Sequence, residues 1–214
     1  MRFLCISDIH GHADALAAVL ATAERRGFSK LLVAGDLCFP GPSPLETWRK
    51  LTAANALCVQ GVGDRALATV DLDNLRATSE HERARLDRLR STRTELGDLI
   101  LARLAKLPKT SRITIETGGE ILLVHGSPLD PSEPFSHELS DEEMNALIGD
   151  DPADLIICGA SHVPFDRQVG ETRIVNVGSV GEAPGGQHAH ATFVETSATG
   201  VVVEQFVVPL GRAA

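Results

Sequence analysis

The chain has 214 residues, with 43% hydrophobic and 23% charged residues and a formal net charge of −9. Its length suits one sizeable core, so we expect a single domain over residues 1–214. The acidic balance and the lack of a basic stripe disfavour a nucleic-acid-binding protein. No apolar run approaches the length of a membrane span, so we expect no membrane association.

The cysteines indicate a reducing compartment. None of Cys5, Cys38, Cys58 and Cys158 forms a C-x-x-C pair, and three of them lie in apolar runs. A disulfide or zinc framework is therefore disfavoured, and buried thiols are the better interpretation. Because the N-terminus also lacks the pattern of a signal peptide, we expect a cytoplasmic protein.

The first sixty residues predict alternating strands and helices. Apolar runs predict strands over residues 2–6, 30–34 and 56–61. Apolar residues at helical spacing predict helices over 13–26 and 45–54. This order implies parallel strands joined by right-handed crossovers.

The pattern changes after a polar, helix-prone segment at residues 66–107. Three later segments read as hairpins, namely RITIETGGEILLVHG, DRQVGETRIVNVG and ATFVETSATGVVVEQFVV. A helix is expected near residues 140–148 and a buried strand over 154–159. Early parallel units and late hairpins together predict an α/β fold with two packed sheets and helices outside.

Five predicted strands end in Asp or His, usually beside a glycine. The sequences at these ends are SDIHGH, GD, GVGD, HGS and GASH. Ligands of open α/β sheets bind outside the carboxyl ends of the strands, and glycine permits sharp turns there. Each residue alone has an ordinary explanation as a cap or a turn, but together they form a convergent set.

The convergent set suits a divalent metal such as Mn, Fe or Zn, because it consists of carboxylates and imidazoles. Asp8 and His10 lie two apart in one loop and can hold one ion from two sides. Asp36 can bridge two ions, while His125 and His162 would complete the coordination.

These blocks resemble the ordered motifs of the calcineurin-like metallophosphoesterases, above all the small uncapped bacterial and archaeal branch. SDIHGH, GDL, GVGDRAL, LVHGSP, GASHVPF and VNVGSVG follow the family order DxH, GD, GN[HC]D, H and GHxH over residues 3–181. The resemblance implies a four-layer α/β/β/α sandwich of two mixed sheets. It also implies a hydrolase in which metal ions activate a hydroxide against a phosphomonoester or phosphodiester.

The resemblance implies one complete metal site and one reduced site. The residues matching the family's first site are Asp8, His10, Asp36 and His162. The second site keeps Asp36 and His125, but Val62 replaces its Asn and Ala160 replaces its other His. We expect one firmly bound ion, Mn first and Fe or Zn as alternatives, and a second ion that is weak or absent.

The resemblance further implies catalytic roles for Asp36, His125 and Asp64. Where the family often has a general acid beside the lost Asn, this chain has Gly63. Asp64 then has no imidazole to orient, so a structural role is equally open to it.

Two nearby polar residues, His12 and Asn176, are alternatives as substitute ligands for the second site, but ordinary structural roles explain them better. His12 is expected at the start of a helix and Asn176 in a turn. The HxH pair His188 and His190 is better explained by solvated loop and strand positions than by a surface metal contact. The segment 181–186 is glycine-rich without phosphate-loop spacing, so it is predicted to be a flexible loop.

Two functions stay open. The first is a phosphoesterase acting on a small phosphate ester, with reduced or altered activity. Pairing of the edge strands of the late hairpins between subunits, which would give a homo-oligomer, is compatible with this function. The alternative is a degenerate, non-catalytic metal- or nucleotide-binding regulatory protein. The complete first site favours the enzyme, whereas the losses at Val62, Gly63 and Ala160 favour the alternative. A nuclease acting on long DNA fits poorly with the acidic chain.

Overall fold

The computed structural model describes residues 1–72, 74–116, 118–150 and 152–211. The elements of these residues are β1 (Arg2–Ile6), α1 (Ala13–Arg26), β2 (Lys30–Val33), α2 (Pro44–Ala53), β3 (Leu57–Cys58), α3 (Val62–Thr69), α4 (Glu80–Ala105), β4 (Thr110–Thr114), β5 (Glu120–Val124), α5 (Asp141–Ile148), β6 (Leu155–Cys158), β7 (Phe165–Val169), β8 (Thr172–Asn176), β9 (His188–Ser197) and β10 (Gly200–Pro209).

The strands form two mixed sheets. The first has the order β10-β9-β1-β2-β3, in which β1, β2 and β3 are parallel and β9 and β10 are antiparallel to their neighbours. The second has the order β4-β5-β6-β8-β7, with parallel β5, β6 and β8 between antiparallel edge strands. The three predicted hairpins are confirmed as β4–β5, β7–β8 and β9–β10. Thr117, in the first of their turns, lies outside the described residues.

The two sheets pack face to face and helices cover their outer faces. Alternate residues of a strand point to opposite sides, so Phe3 and Cys5 of β1 face the second sheet while Leu4 and Ile6 face α1, α2 and α4. On the second sheet, Leu122 and its same-face neighbours pack on α5. The four-layer α/β/β/α sandwich is thereby confirmed. Its rigid strands carry the loops of the candidate site.

The segment 66–107 differs from a continuous helix. It holds the end of α3 and then α4, and α4 is interrupted at Gly97, whose backbone angles are φ 72° and ψ 164°. The start of α4 is fixed because Ser79 Oγ accepts a hydrogen bond from the Glu82 N–H at 3.1 Å. The third predicted strand is also shorter than expected, since β3 has only two residues.

The four cysteines are free, and all except the half-buried Cys58 are buried. Burial raises the pKa of the Cys58 thiol to about 12, so this group is protonated at neutral pH. Among the helices of the described ranges, none has the length and hydrophobicity that crossing a bilayer requires.

Candidate metal centre

The five candidate ligands lie together where four strands end. They are Asp8 and His10 after β1, Asp36 after β2, His125 after β5 and His162 after β6. Backbone hydrogen bonds join their loops, since the Asp8 N–H donates to Gly35 O at 3.1 Å and the Gly159 N–H to His125 O at 2.9 Å. Four of the five side chains are buried and His162 is half-buried. The convergence predicted from the strand ends is therefore present.

Strained backbone is concentrated in these loops. Within the described ranges, the non-glycine residues with positive φ are Asp8, His10, Asp36, Asn55, Ala160 and His162. Four of these six are candidate ligands, and Ala160 shares the loop of His162. Such conformations cost about 1–3 kcal/mol each, and they cluster at sites where geometry serves a function.

Asp8, His10 and His162 form the first cluster. The Nε2 atoms of His10 and His162 lie 3.1 Å apart. Asp8 Oδ1 lies 3.2 Å from His162 Nε2 and 3.6 Å from His10 Nε2. One ligand atom from each side chain thus lies within 4.8 Å of the other two, as ligands of a single ion would.

The Asp8 carboxylate provides the test of whether a cation fits. Its Oδ2 accepts a hydrogen bond from the Ala160 N–H at 2.9 Å, whereas its buried Oδ1 has only His162 Nε2 within hydrogen-bond distance, at 3.2 Å, and that contact is poorly aligned. Burial alone would raise the pKa of Asp8, but the neighbouring imidazoles of His162, His125 and His10 outweigh burial and lower it. A buried, ionised oxygen with so little compensation is costly, and a divalent cation beside it would lower that cost.

Backbone carbonyls fix the orientation of two imidazoles. His10 Nδ1 lies 2.6 Å from Phe39 O, and His125 Nδ1 lies 2.7 Å from Ala34 O. Because a carbonyl only accepts, each Nδ1 carries a proton, and Nε2 is the ring atom that faces the centre. This is the arrangement that orients metal-binding histidines in proteins.

Asp8, Asp36 and His125 form the second cluster. Asp36 Oδ2 lies 3.6 Å from His125 Nε2, and Asp36 Oδ1 accepts a hydrogen bond from the Gly63 N–H at 2.6 Å. Burial lowers the pKa of His125, but the charges of Asp36 and Asp8 outweigh it and raise the pKa overall.

Asp8 belongs to both clusters. Asp36 also lies beside histidines of both, because its Oδ2 is 4.0 Å from His10 Nδ1 and 3.6 Å from His125 Nε2. The expected role of Asp36 as the carboxylate that bridges two ions stays a prediction.

The positions that depart from the family motif offer no ligand. Val62 lies in the first turn of α3 with a 48% exposed side chain, and Ala160 supplies only its backbone N–H. A Cβ added to Gly63 would lie 3.2 Å from Asp36 Oδ1, which is a tight contact.

Asp64 has the structural role that the sequence left open. It is fully buried, and its two oxygens accept hydrogen bonds from the N–H groups of Leu37 and Gly61, both at 3.0 Å. Burial and the nearby charge of Asp36 raise the pKa of Asp64 to about 6. These bonds hold together the loops that follow β2 and β3.

Asn176 anchors the His162 loop, a role that the sequence did not reveal. It was predicted in a turn but is the buried last residue of β8. Its amide donates to Gly159 O at 2.6 Å and to Ser161 Oγ at 3.0 Å. The alternative interpretation of Asn176 as a substitute ligand gains no support from these contacts.

Glu182 is a second residue that sequence reasoning missed. Its Oε2 lies 3.7 Å from His10 Nε2, which brings a further carboxylate to the first cluster. Its N–H donates to Ser179 Oγ at 2.8 Å, and Ser179 Oγ in turn donates to Asp8 O at 2.8 Å. The local sequence does not mark this residue as part of the centre, because a single Glu in a glycine-rich segment matches no ligand motif.

The HxH pair lies on β9, as the strand interpretation expected, but His190 is buried rather than solvated. His190 Nδ1 accepts a hydrogen bond from the Ser179 N–H at 3.3 Å, so its Nε2 carries the proton and faces His188 Nε2 at 3.1 Å. Burial, with the neighbouring His188 and His162, lowers the pKa of His190 to about 4. Both ring nitrogens of His190 are thus engaged. His12, as predicted, lies at the start of α1.

Comparison with known proteins places these features in a family. The calcineurin-like phosphoesterase superfamily domain matches residues 1–199. The uncharacterized protein MJ0912 of Methanocaldococcus jannaschii is 28% identical over 162 residues, which are 75% of this chain and 62% of that relative. The chain therefore matches less than two thirds of that relative's length.

Two solved structures show the same fold. The hypothetical protein PH1004 from Pyrococcus horikoshii OT3 has a TM-score of 0.81 and 23% identity, covering 97% of this chain and 88% of its own. A metallophosphoesterase from Sphaerobacter thermophilus has a TM-score of 0.74 and 24% identity, covering 96% of this chain and 88% of its own.

Proposed function

This chain belongs to the calcineurin-like phosphoesterase superfamily, and from that premise we propose that it hydrolyses a small phosphomonoester or phosphodiester with the help of a divalent metal. The observation that carries the proposal is Asp8 Oδ1, a fully buried carboxylate oxygen that has only one poorly aligned contact, with His162 Nε2 at 3.2 Å. It faces the Nε2 atoms of two histidines, one of which is fixed by a backbone carbonyl.

Asp8, His10 and His162 would hold the principal ion, and Glu182 lies close enough to contribute a further oxygen after a small rotation. Mn is the ion we propose, with Fe or Zn as alternatives, because the ligands combine carboxylates with imidazoles. A bound divalent ion supplies charge that polarises a phosphoryl oxygen and activates a water molecule.

The chain's own residues hold this centre in place before substrate arrives. Phe39 O and Ala34 O hold the protons of His10 and His125 on Nδ1. Asp64 joins the loop of Asp36 to the loop that follows β3, and Asn176 fixes the loop of His162. We therefore assign Asp64 and Asn176 positioning roles, and we keep Asp36 and His125 as the proposed catalytic pair.

We further propose that one ion is held firmly and a second weakly. Asp36 and His125, together with Asp8, provide a second cluster, but Val62 and Ala160 bring no ligand to it. A second ion would then depend on oxygens from water or from the substrate's phosphate. We also propose that the protein works in the cytoplasm, where its four free cysteines would stay reduced.

A regulatory protein that binds metal without turnover is the second candidate. The observation that favours it is the absence of a side-chain proton donor at Gly63, together with the two lost ligands. It predicts one bound ion and no hydrolysis of any phosphate ester.

Metal content and hydrolysis separate the two candidates. The protein is loaded with Mn, bound metal is counted by mass spectrometry, and p-nitrophenyl phosphate and bis(p-nitrophenyl) phosphate are assayed. The enzyme proposal expects hydrolysis that Asp36→Ala lowers at least 100-fold and that Asp87→Ala, a change of an exposed acid on α4, leaves intact. Hydrolysis that persists in Asp36→Ala would contradict the metal mechanism, and a metal-loaded but inactive wild type would favour the regulatory candidate.

A further inference from the structure

A cavity of about 580 Å³ adjoins the metal centre, between α3 and the first half of α4. Its inner end is lined by His10, Asp36 and Gly63, so it is continuous with the candidate ligands. A volume of this size is typical of sites that enclose a small organic molecule.

The walls of this cavity are mainly apolar. They are lined by Phe39, Val62, Val70, Leu75, Leu86 and Leu89. Two of these side chains, Val62 and Leu75, remain 48% and 43% exposed. Apolar surface left uncovered in a concave site is the signature of a ligand that covers it.

The charged side chains at the rim differ in whether other groups of the protein already engage them. Arg88 is engaged, because its guanidinium donates to the carbonyls of Pro40 and Gly41. Glu82 is engaged as well, because its carboxylate accepts from Thr78 and from the Ser79 N–H. Arg85 lies over the Phe39 ring at 6.0 Å and forms no salt bridge with any residue in the described ranges. Its charge is therefore available to an anionic ligand.

We infer that this cavity holds the organic group of the substrate, and that this group is bulky and apolar. The inference rests on the proposed function, because the phosphate would lie at the His10 and Asp36 end. The apolar walls would take the organic group by excluding water from it, and Arg85 would add attraction for the anion.

Val62 has two effects at this position. The residue that removes a ligand from the second cluster also adds apolar surface at the junction of the cavity and the metal centre. Val62 in place of the Asn of the family motif thus favours binding of an apolar organic group and disfavours tight binding of a second ion.

Two non-hydrolysable probes test the inference. Methylphosphonate and 1-naphthylphosphonate have the same anionic head, and their affinities for the Mn-loaded protein are compared by calorimetry. We expect the naphthyl compound to bind at least tenfold more tightly, because only its ring system reaches the apolar walls. This readout needs neither turnover nor a variant.

Ala66→Phe fills the cavity from α3, where Ala66 lines it. We expect this variant to reduce the ratio of the two affinities at least fivefold. Ala21→Phe, at an exposed alanine of α1 outside the cavity, is the matched control and should keep the wild-type ratio.

The outcomes distinguish this inference from the proposed function. Equal affinities of the two probes in wild type, with hydrolysis present, would overturn the inference and leave the phosphoesterase proposal standing. A naphthyl preference that Ala66→Phe removes, without any hydrolysis, would support the inference and contradict the enzyme proposal. Failure of both probes to bind the Mn-loaded protein would overturn both.

Discussion

The Nε2 atoms of His10 and His162 lie 3.1 Å apart although 152 residues separate them in the chain. His10 follows β1 of the first sheet and His162 follows β6 of the second. The two nitrogens can meet only after the sheets have packed on each other. Binding of a metal at this pair is therefore coupled to formation of the whole sandwich.

The first prediction is that Mn stabilises the protein and that Asp8 is required for this effect. Because the folded state alone assembles the ligands, an ion at 100 times its Kd adds about 2.7 kcal/mol to the free energy of unfolding. Asp8→Asn removes the charge shared by both clusters, so its melting temperature should not respond to Mn. Thermal denaturation with Mn and with EDTA measures both, and a full Mn response in Asp8→Asn would contradict the assignment.

The second prediction is that Val62→Asn with Ala160→His creates a second firm site. Asn replaces a side chain that is already 48% exposed, and His is among the residues that tolerate the positive φ of 65° found at position 160. Metal analysis after dialysis should give one Mn per wild-type chain and two per double-variant chain. Each single variant is a control, and a double variant that still holds one ion would refute the prediction.

The placement of the candidate ligands was predictable because they follow predicted strands. Each comes within a few residues of an apolar run, and packing of these runs brings the five together, namely Asp8, His10, Asp36, His125 and His162. The orientation of the His10 ring was not predictable. It depends on which nitrogen of His10 meets Phe39 O, and a carbonyl 29 residues away leaves no trace in the local sequence.

The third prediction is that Asn176→Ala weakens metal binding from outside the ligand set. The substitution leaves Gly159 O and the Gly178 N–H without their buried partner, which costs about 1–3 kcal/mol of stability. Loss of such supporting contacts typically lowers metal affinity roughly 10–100-fold. Mn titration and thermal denaturation test it, and Asn145→Ala on the exposed face of α5 is the control. Wild-type Mn affinity in Asn176→Ala would show that the loop holds without this anchor.

The fourth prediction concerns acid pH and His190. Its pKa in the folded protein is lowered to about 4, whereas an unfolded histidine has a pKa near 6.5. The unfolded state therefore binds the proton first, and the stability contributed by neutral His190 is present above pH 6.5 and is lost as the pH falls toward 4. His190→Gln should lose less free energy of unfolding over this range than wild type does.

Urea denaturation of the metal-free protein at pH 7, 5.5 and 4.5 measures this difference. His137→Gln, at an exposed position, is the control and should follow wild type. The same pH dependence in His190→Gln as in wild type would show that His190 does not contribute. The metal is left out because protonation of the candidate ligands would otherwise release the ion and add its own pH dependence to the free energy of unfolding.

The sequence indicated that the helical segment 66–107 and the loops at 38–44 and 128–138 shape the pocket, but it did not predict that the walls are apolar. Residues 66–107 read as one polar, helix-prone segment, because their charged residues hide the few apolar side chains that face inward. The structure separates α3 from α4 and turns Val70, Leu75 and Leu86 toward one space. A hydrophobic surface formed between two mainly polar helices has no periodicity strong enough to mark it.

Gly63 limits how the proton donor of the family motif can be introduced into this active centre. Its N–H holds Asp36 Oδ1 at 2.6 Å, and any side chain attached there would bring a Cβ to 3.2 Å from the same oxygen. A histidine at that position would therefore require Asp36 to move by a few tenths of an ångström. Because Asp36 is a candidate ligand, a proton donor added at position 63 would also change the geometry of the metal centre.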